Sequence, residues 1–129
     1  MAKIEKFEDI VAWQKERELT RQVYAHSKSG LFAKDFGLKD QIQRASVSIM
    51  GNVAEGFDRG GDKEFIQFLS VSKGSCGEVK SHLYVALDQQ YISLEQFNAL
   101  HGNADEVSRL LSGFMTYLKS SDLRGRKFK

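Results

Sequence analysis

The chain has 129 residues, of which 41% are hydrophobic and 28% are charged, and its formal net charge is +2. These proportions are typical of one water-soluble domain with a single core, and they exclude a largely disordered chain. No apolar run approaches the roughly 20 residues that span a bilayer, and the N-terminus has no apolar signal core. The single cysteine, Cys76, excludes an internal disulfide. We therefore expect a cytoplasmic protein without a membrane partner.

The first half of the chain shows helical spacing, and proline is absent from the whole sequence. The first predicted helix covers about residues 8–28, and the second, after a loop at 29–37, covers about residues 38–58. Glu16 falls inside the apolar stripe of the first helix. Because burying an unpaired carboxylate is costly, the sequence predicts that Glu16 reaches water or finds a partner.

The second half has two longer apolar seams with steps of three and four residues. The third predicted helix covers about 63–90, with Asp62 as its N-cap and with Gly74 and Gly77 inside it. A break in the helix at these glycines is the alternative. The fourth covers about 94–119 and begins at a capping box formed by Ser93 and Gln96. The two seams comprise Phe65, Leu69, Ser72, Cys76, Val79, Leu83 and Ala86, and Phe97, Leu100, Ala104, Val107, Leu111, Phe114 and Leu118.

Four amphipathic helices with short connections pack most simply as an all-α, antiparallel up-down four-helix bundle. We assign residues 1–119 to this domain. Residues 120–129 form a basic tail, because the segment that starts at Lys119 and ends at Lys129 contains five basic residues and one acid. The tail is interpreted either as an arm for a polyanion or as a solvated terminus that aids solubility.

Polar residues also recur at helical spacing on the two central helices, where an isolated bundle would not need them. One interpretation is a hydrogen-bond network between helices or subunits that fixes their register. A second is a polar groove for RNA or a partner protein, and the third is a hidden catalytic site. The candidate interface or partner-binding residues are Ser48, Asn52, Glu55, Arg59, Glu64, Ser75 and Glu78.

Catalytic motifs are largely missing from the sequence. Di-iron bundles need two Glu-x-x-His pairs, in which the ligands are three residues apart, whereas Glu78 and His82 lie four residues apart and no second pair exists. The glycine-rich stretch 56–63 lacks the lysine and hydroxyl ending of a phosphate-binding loop, so we interpret it as a turn. We predict no enzyme activity, no catalytic or metal-binding residues, and no cofactor.

The segment 46–59, SVSIMGNVAEGFDR, followed by KEFIQFL at 63–69 and by Gly74-Ser75, resembles the signature of a known family. This is the family of four-helix bundle proteins also called the intervening-sequence proteins of 23S ribosomal RNA. The opening FEDIVAWQK at 7–15 is similar to that family's start. More distantly, the chain resembles the accessory proteins of diversity-generating retroelements. The resemblance implies a homopentameric ring without known enzyme activity, and it places Glu16 where the family usually has a small apolar residue.

Three functional hypotheses follow. The first is a non-catalytic oligomeric scaffold that binds ribosomal or other structured RNA, and the second is a protein-protein interaction module without nucleic-acid binding. The third, remote alternative is a metal-dependent enzyme using Glu55, Glu78 and His82. The candidate nucleic-acid-binding residues are Arg17, Arg21, Arg44, Lys119, Arg124, Arg126, Lys127 and Lys129.

Overall fold

The structure is a computed structural model that describes residues 4–120. Within this range there are four α-helices and no strand. Helix α1 is Val11–Ser27, α2 is Phe36–Arg59, α3 is Asp62–Asp88 and α4 is Leu94–Lys119. Short 3-10 turns at Phe7–Asp9 and Phe32–Lys34 precede α1 and α2. The predicted tail lies outside the described residues, except for Ser120.

Each helix packs against the one that follows it, and α1 closes the bundle against α4. One continuous core runs through the interior. Every residue of the two predicted seams on α3 and α4 is buried, and α3 continues without a break through Gly74 and Gly77. The Ser93–Gln96 capping box is also confirmed, with Ser93 Oγ accepting the Gln96 amide at 3.0 Å. No helix among residues 4–120 is long and apolar enough to cross a membrane.

The beginnings of three helices differ from the predictions. Residues 7–9 form a 3-10 turn and α1 begins only at Val11, because Ile10 is extended (φ −78°, ψ 120°) and its side chain inserts into the core. Helix α2 begins two residues early, because Asp35 Oδ1 accepts the Leu38 amide at 3.1 Å as an N-cap. Asp62 is the first residue of α3 and not its N-cap, a position that Gly61 takes.

The end of α3 is set by a left-handed residue. Gln90 has φ 62°, and its amide donates to the Leu87 carbonyl at 2.9 Å. The Tyr91 amide donates to the Ala86 carbonyl, also at 2.9 Å. These two hydrogen bonds form a Schellman motif, which satisfies carbonyls that the end of a helix would otherwise leave open. For this reason α3 stops at Asp88 rather than at the predicted residue 90.

The prediction for Glu16 is wrong. Its side chain is 0% exposed, and neither carboxyl oxygen has a hydrogen-bond partner among residues 4–120. Burial raises the pKa of Glu16 to about 9, so the carboxyl is protonated at neutral pH. The core therefore tolerates Glu16 by keeping it neutral and not by pairing it.

Candidate functional surface on helices α2 and α3

The predicted polar residues of α2 and α3 fall into two groups along the seam between these helices. In the middle of the seam, Ser48 Oγ and Ser75 Oγ are 3.0 Å apart. Asn52 Nδ2 donates to the Ser48 carbonyl at 2.9 Å and to Ser48 Oγ at 3.1 Å. Below them, the buried Ser72 hydroxyl donates to the Ile49 carbonyl at 2.8 Å. The Ser48–Ser75 and Ser72–Ile49 bonds join the two helices across the seam and fix their relative register, whereas the Asn52 bonds stay within α2.

Close approach at Gly56 extends this seam toward the turn between the two helices. A Cβ atom at position 56 would lie 2.6 Å from Phe68 Cβ and 2.9 Å from Phe65 Cδ1. No side chain can occupy that space without moving α3 away from α2. Gly56 is thus required by packing.

The second group is an ion cluster near the turn. Arg59 Nη2 is 2.8 Å from Glu55 Oε2, and Arg59 Nη1 is 3.9 Å from Glu64 Oε2. The hydrogen bond to Glu55 is the main reason why the pKa of Arg59 is raised. The guanidinium also lies 5.2 Å from the centre of the Phe68 ring, a contact that the sequence alone did not suggest. Arg59 contributes one positive charge and the two glutamates contribute two negative charges, so this exposed cluster keeps a net negative charge.

Between the ends of α2 and α3 distant from this turn there is a groove of about 300 Å³. Predicted residues Ser48 and Glu78 line it together with Arg44, while Arg44 Nε donates to Asp40 at 2.9 Å. The groove also includes Gln41, Ala45 and His82. Among residues 4–120, no group of three or more His, Cys, Asp or Glu side chains is arranged to hold a metal ion. The proposed metal set of Glu55, Glu78 and His82 is divided, because Glu55 belongs to the ion cluster.

The candidate nucleic-acid-binding residues are not brought together by the fold. Arg17 and Arg21 lie one turn apart on the outer face of α1, Arg44 lies on α2, and Lys119 lies at the end of α4. Arg21 pairs with Glu18 on its own helix, whereas Arg17 makes no ion pair within the described part of the chain. The remaining candidates, Arg124, Arg126, Lys127 and Lys129, lie outside the described residues.

The profile of the family described as 23S rRNA-intervening sequence protein matches residues 8–113, which is most of the chain and includes the whole α2–α3 surface. The chain belongs to this family. No match is found among curated proteins.

A solved structure has the same fold as this chain. It is the crystal structure of a protein of unknown function from the S23 ribosomal protein family of Bacteroides thetaiotaomicron. The two chains are 24% identical, the alignment covers 81% of this chain and 98% of the other, and the TM-score is 0.74. At this identity the likeness establishes the fold alone.

The family signature lies on α2 beside α3. Of the stretch Asn52-Val53-Ala54-Glu55-Gly56, the asparagine bonds to Ser48 and the glutamate pairs with Arg59, both within α2, and the valine is buried. Gly56 permits the close approach of α3. In this chain, therefore, these signature residues have structural roles, and Gly56 is the one that contacts α3.

Proposed function

We propose that this protein is one subunit of a homo-oligomeric, non-catalytic scaffold that works in association with structured RNA. The observation that carries the proposal is the outward face of α3 beside the groove. Val71 is 53% exposed and Val85 is 42% exposed on this face, with Gly74 and Glu78 between them at helical spacing. A helix that already buries its opposite side in the core has here a second surface with apolar character, which is typical of a subunit contact.

The glycines of α3 add to this surface. At Gly74 and Gly77 an added Cβ atom would meet nothing within 4 Å, so neither glycine is required by packing inside the subunit. Each lowers helix stability by about 1 kcal/mol relative to alanine. A neighbouring subunit whose backbone approaches α3 closely would account for both. We propose a ring of five subunits, as the family resemblance suggests.

The non-catalytic part of the proposal is supported by how the predicted site residues are engaged. Ser48, Ser75 and Asn52 bond to one another, and Glu55 and Glu64 share Arg59. These side chains are engaged with one another, and of them only Ser48 also lines the groove. Such a surface is suited to holding a fixed shape against another subunit.

Assembly is tested by light scattering coupled to size exclusion. We expect the wild-type protein to have about five times the mass of one chain, and Gly74→Arg to shift it to smaller species while helical circular dichroism is retained. Gly102→Arg is the matched control, because Gly102 is an exposed glycine on α4 with nothing within 4 Å of its Cβ position. A wild-type monomer, or equal loss of assembly in both variants, would contradict the proposal.

The RNA part is supported by the name of the family, 23S rRNA-intervening sequence protein, and by the exposed cations of α1. Because phosphate contacts release counterions, affinity for ribosomal RNA fragments should fall steeply between 50 and 200 mM salt, on the order of tenfold or more for a few contacts. Binding that is absent at low salt, or insensitive to salt, would contradict RNA association. A partner retained in pull-downs after nuclease treatment would instead favour the protein-interaction alternative.

A further inference from the structure

The connection between α1 and α2 exposes the most accessible large apolar side chains of the described chain. Phe36 is 73% exposed and Leu31 is 66% exposed, whereas Phe32 between them is 1% exposed. We call residues 28–39 the α1–α2 tip. The tip therefore buries one aromatic ring and presents another to solvent.

The tip is fixed to the rest of the bundle by polar and aromatic contacts. The Phe32 ring stacks on the Tyr91 ring with centroids 5.4 Å apart, and the Tyr91 hydroxyl donates to Asp35 Oδ2 at 2.9 Å. The other oxygen of Asp35 caps α2. Phe36 follows directly on this anchored residue, so its ring is presented from a defined backbone position at the start of a helix.

The tip that carries the exposed ring also carries positive charge. Lys28, Lys34 and Lys39 belong to the tip and make no ion pair within residues 4–120, and Lys39 Nζ lies 5.3 Å from the centre of the Phe36 ring. The two carboxylates of this region are engaged, because Asp35 holds the contacts above and Asp40 pairs with Arg44. The acids Asp88 and Glu95 lie at the same end of the bundle, but at the connection between α3 and α4. The positive charge at this end therefore belongs to the tip.

We propose that the α1–α2 tip binds unpaired nucleotides of RNA, with a base stacked on Phe36 and with the three lysines contacting adjacent phosphates. A flat, exposed aromatic ring beside cations is the combination by which single-stranded nucleic acid is recognised, because every base offers a face for stacking and every nucleotide offers a phosphate. This inference rests on the proposed association with RNA and specifies where and in which form the RNA is bound.

The experiment compares a 12-nucleotide single-stranded oligouridine with a 12-base-pair RNA duplex in fluorescence anisotropy titrations of the full-length protein. Phe36→Ala should weaken single-strand binding about five- to hundredfold, the factor equivalent to loss of one stacked base, and should change duplex binding little. Phe36→Trp should retain affinity, and its fluorescence should be quenched by the oligonucleotide. Replacing the three lysines with alanine should lower the slope of log affinity against log salt by up to about 2.

The matched control is Leu94→Ala, since Leu94 is a 63% exposed apolar residue at the same end of the bundle but outside the tip. It should leave single-strand affinity unchanged. If wild-type protein binds ribosomal RNA fragments while Phe36→Ala and the lysine variant bind as tightly as wild type, the tip assignment is wrong and the proposed function stands. If wild-type protein binds no RNA, both fail. A change of oligomer mass in Phe36→Ala would identify the tip as a contact between copies and overturn the inference.

Discussion

The carboxyl of Glu16 on α1 lies close enough to the thiol of Cys76 on α3 to contribute to the raised pKa of that thiol. Burial raises the pKa of the Cys76 thiol to about 11, Lys80 lowers it in part, and Glu16 adds to the rise. The thiol donates to the Ala104 carbonyl at 3.0 Å, whereas Glu16 has no hydrogen-bond partner within residues 4–120. At neutral pH both groups are protonated, so the centre of the bundle holds two neutral acids.

Stability should therefore decrease as pH rises. The pKa of Glu16 is about 9 in the folded protein and near the model-compound value of 4.5 in the unfolded chain, so unfolding between these values releases a proton. The free energy of unfolding should fall by up to about 1.4 kcal/mol per pH unit between about pH 5 and pH 9. Urea unfolding followed by circular dichroism at pH 5.5, 7.0 and 8.5 measures the slope. Glu16→Gln, which cannot titrate, is the control, and an equal slope in both proteins would contradict the prediction.

Replacing Glu16 with methionine should stabilise the bundle. The substitution keeps a long, unbranched side chain and removes two buried oxygens that have no hydrogen-bond partner within residues 4–120, whose desolvation costs about 1–3 kcal/mol. We expect a gain of at least that size at pH 7, measured by urea unfolding, because folding of the wild-type chain at this pH also requires protonation of Glu16. Leu19→Ala, at a 0% exposed position one turn further along α1, should instead lose about 2–5 kcal/mol through the cavity it creates. A loss of stability in Glu16→Met would mean that the carboxyl has a partner in the assembled protein.

The behaviour of Glu16 shows which parts of the fold the sequence could predict. Periodicity and capping are local, so they gave the seams of α3 and α4 and the Ser93–Gln96 box. The surroundings of Glu16 depend on side chains from other helices, and no local pattern reports whether one of them reaches it. The extended conformation of Ile10 likewise depends on residues distant in the sequence, because it lets the Ile10 side chain enter a core that other segments of the chain build.

For the candidate surface, too, local features could be predicted from the sequence and contacts between helices could not. Helical spacing predicted that Ser48 and Asn52 share a face, since that follows from one helix alone. Only packing shows that Ser75 lies opposite Ser48, and that the ring of Phe68 lies beneath Arg59. The exposure of Phe36 could not be predicted either, because a large apolar residue beside a helix start is often in the core.

Adding one methyl group at Gly56 should destabilise the protein. The new Cβ atom would meet Phe68 Cβ at 2.6 Å and force α2 and α3 apart. Overpacking of this kind costs about 1–3 kcal/mol, which outweighs the gain of about 1 kcal/mol from replacing a helical glycine with alanine. Thermal unfolding should show a lower midpoint for Gly56→Ala. The control is Gly51→Ala on the same helix, where nothing lies within 4 Å of the added Cβ atom, and it should show a slightly higher midpoint. A higher midpoint in both variants would disprove the close approach at Gly56.

A glycine at position 90 should stabilise the end of α3. Gln90 adopts φ 62°, a left-handed conformation that costs a residue with a Cβ atom about 1 kcal/mol relative to glycine. The two Schellman hydrogen bonds at this end are made by backbone atoms, so Gln90→Gly retains both. We expect the free energy of unfolding to rise by about 0.5–1 kcal/mol in urea titrations. At the preceding residue, Gln89 has φ −83°, so Gln89→Gly gains no such relief and should be neutral or destabilising. If the two variants change stability equally, the left-handed turn does not limit the stability of this helix end.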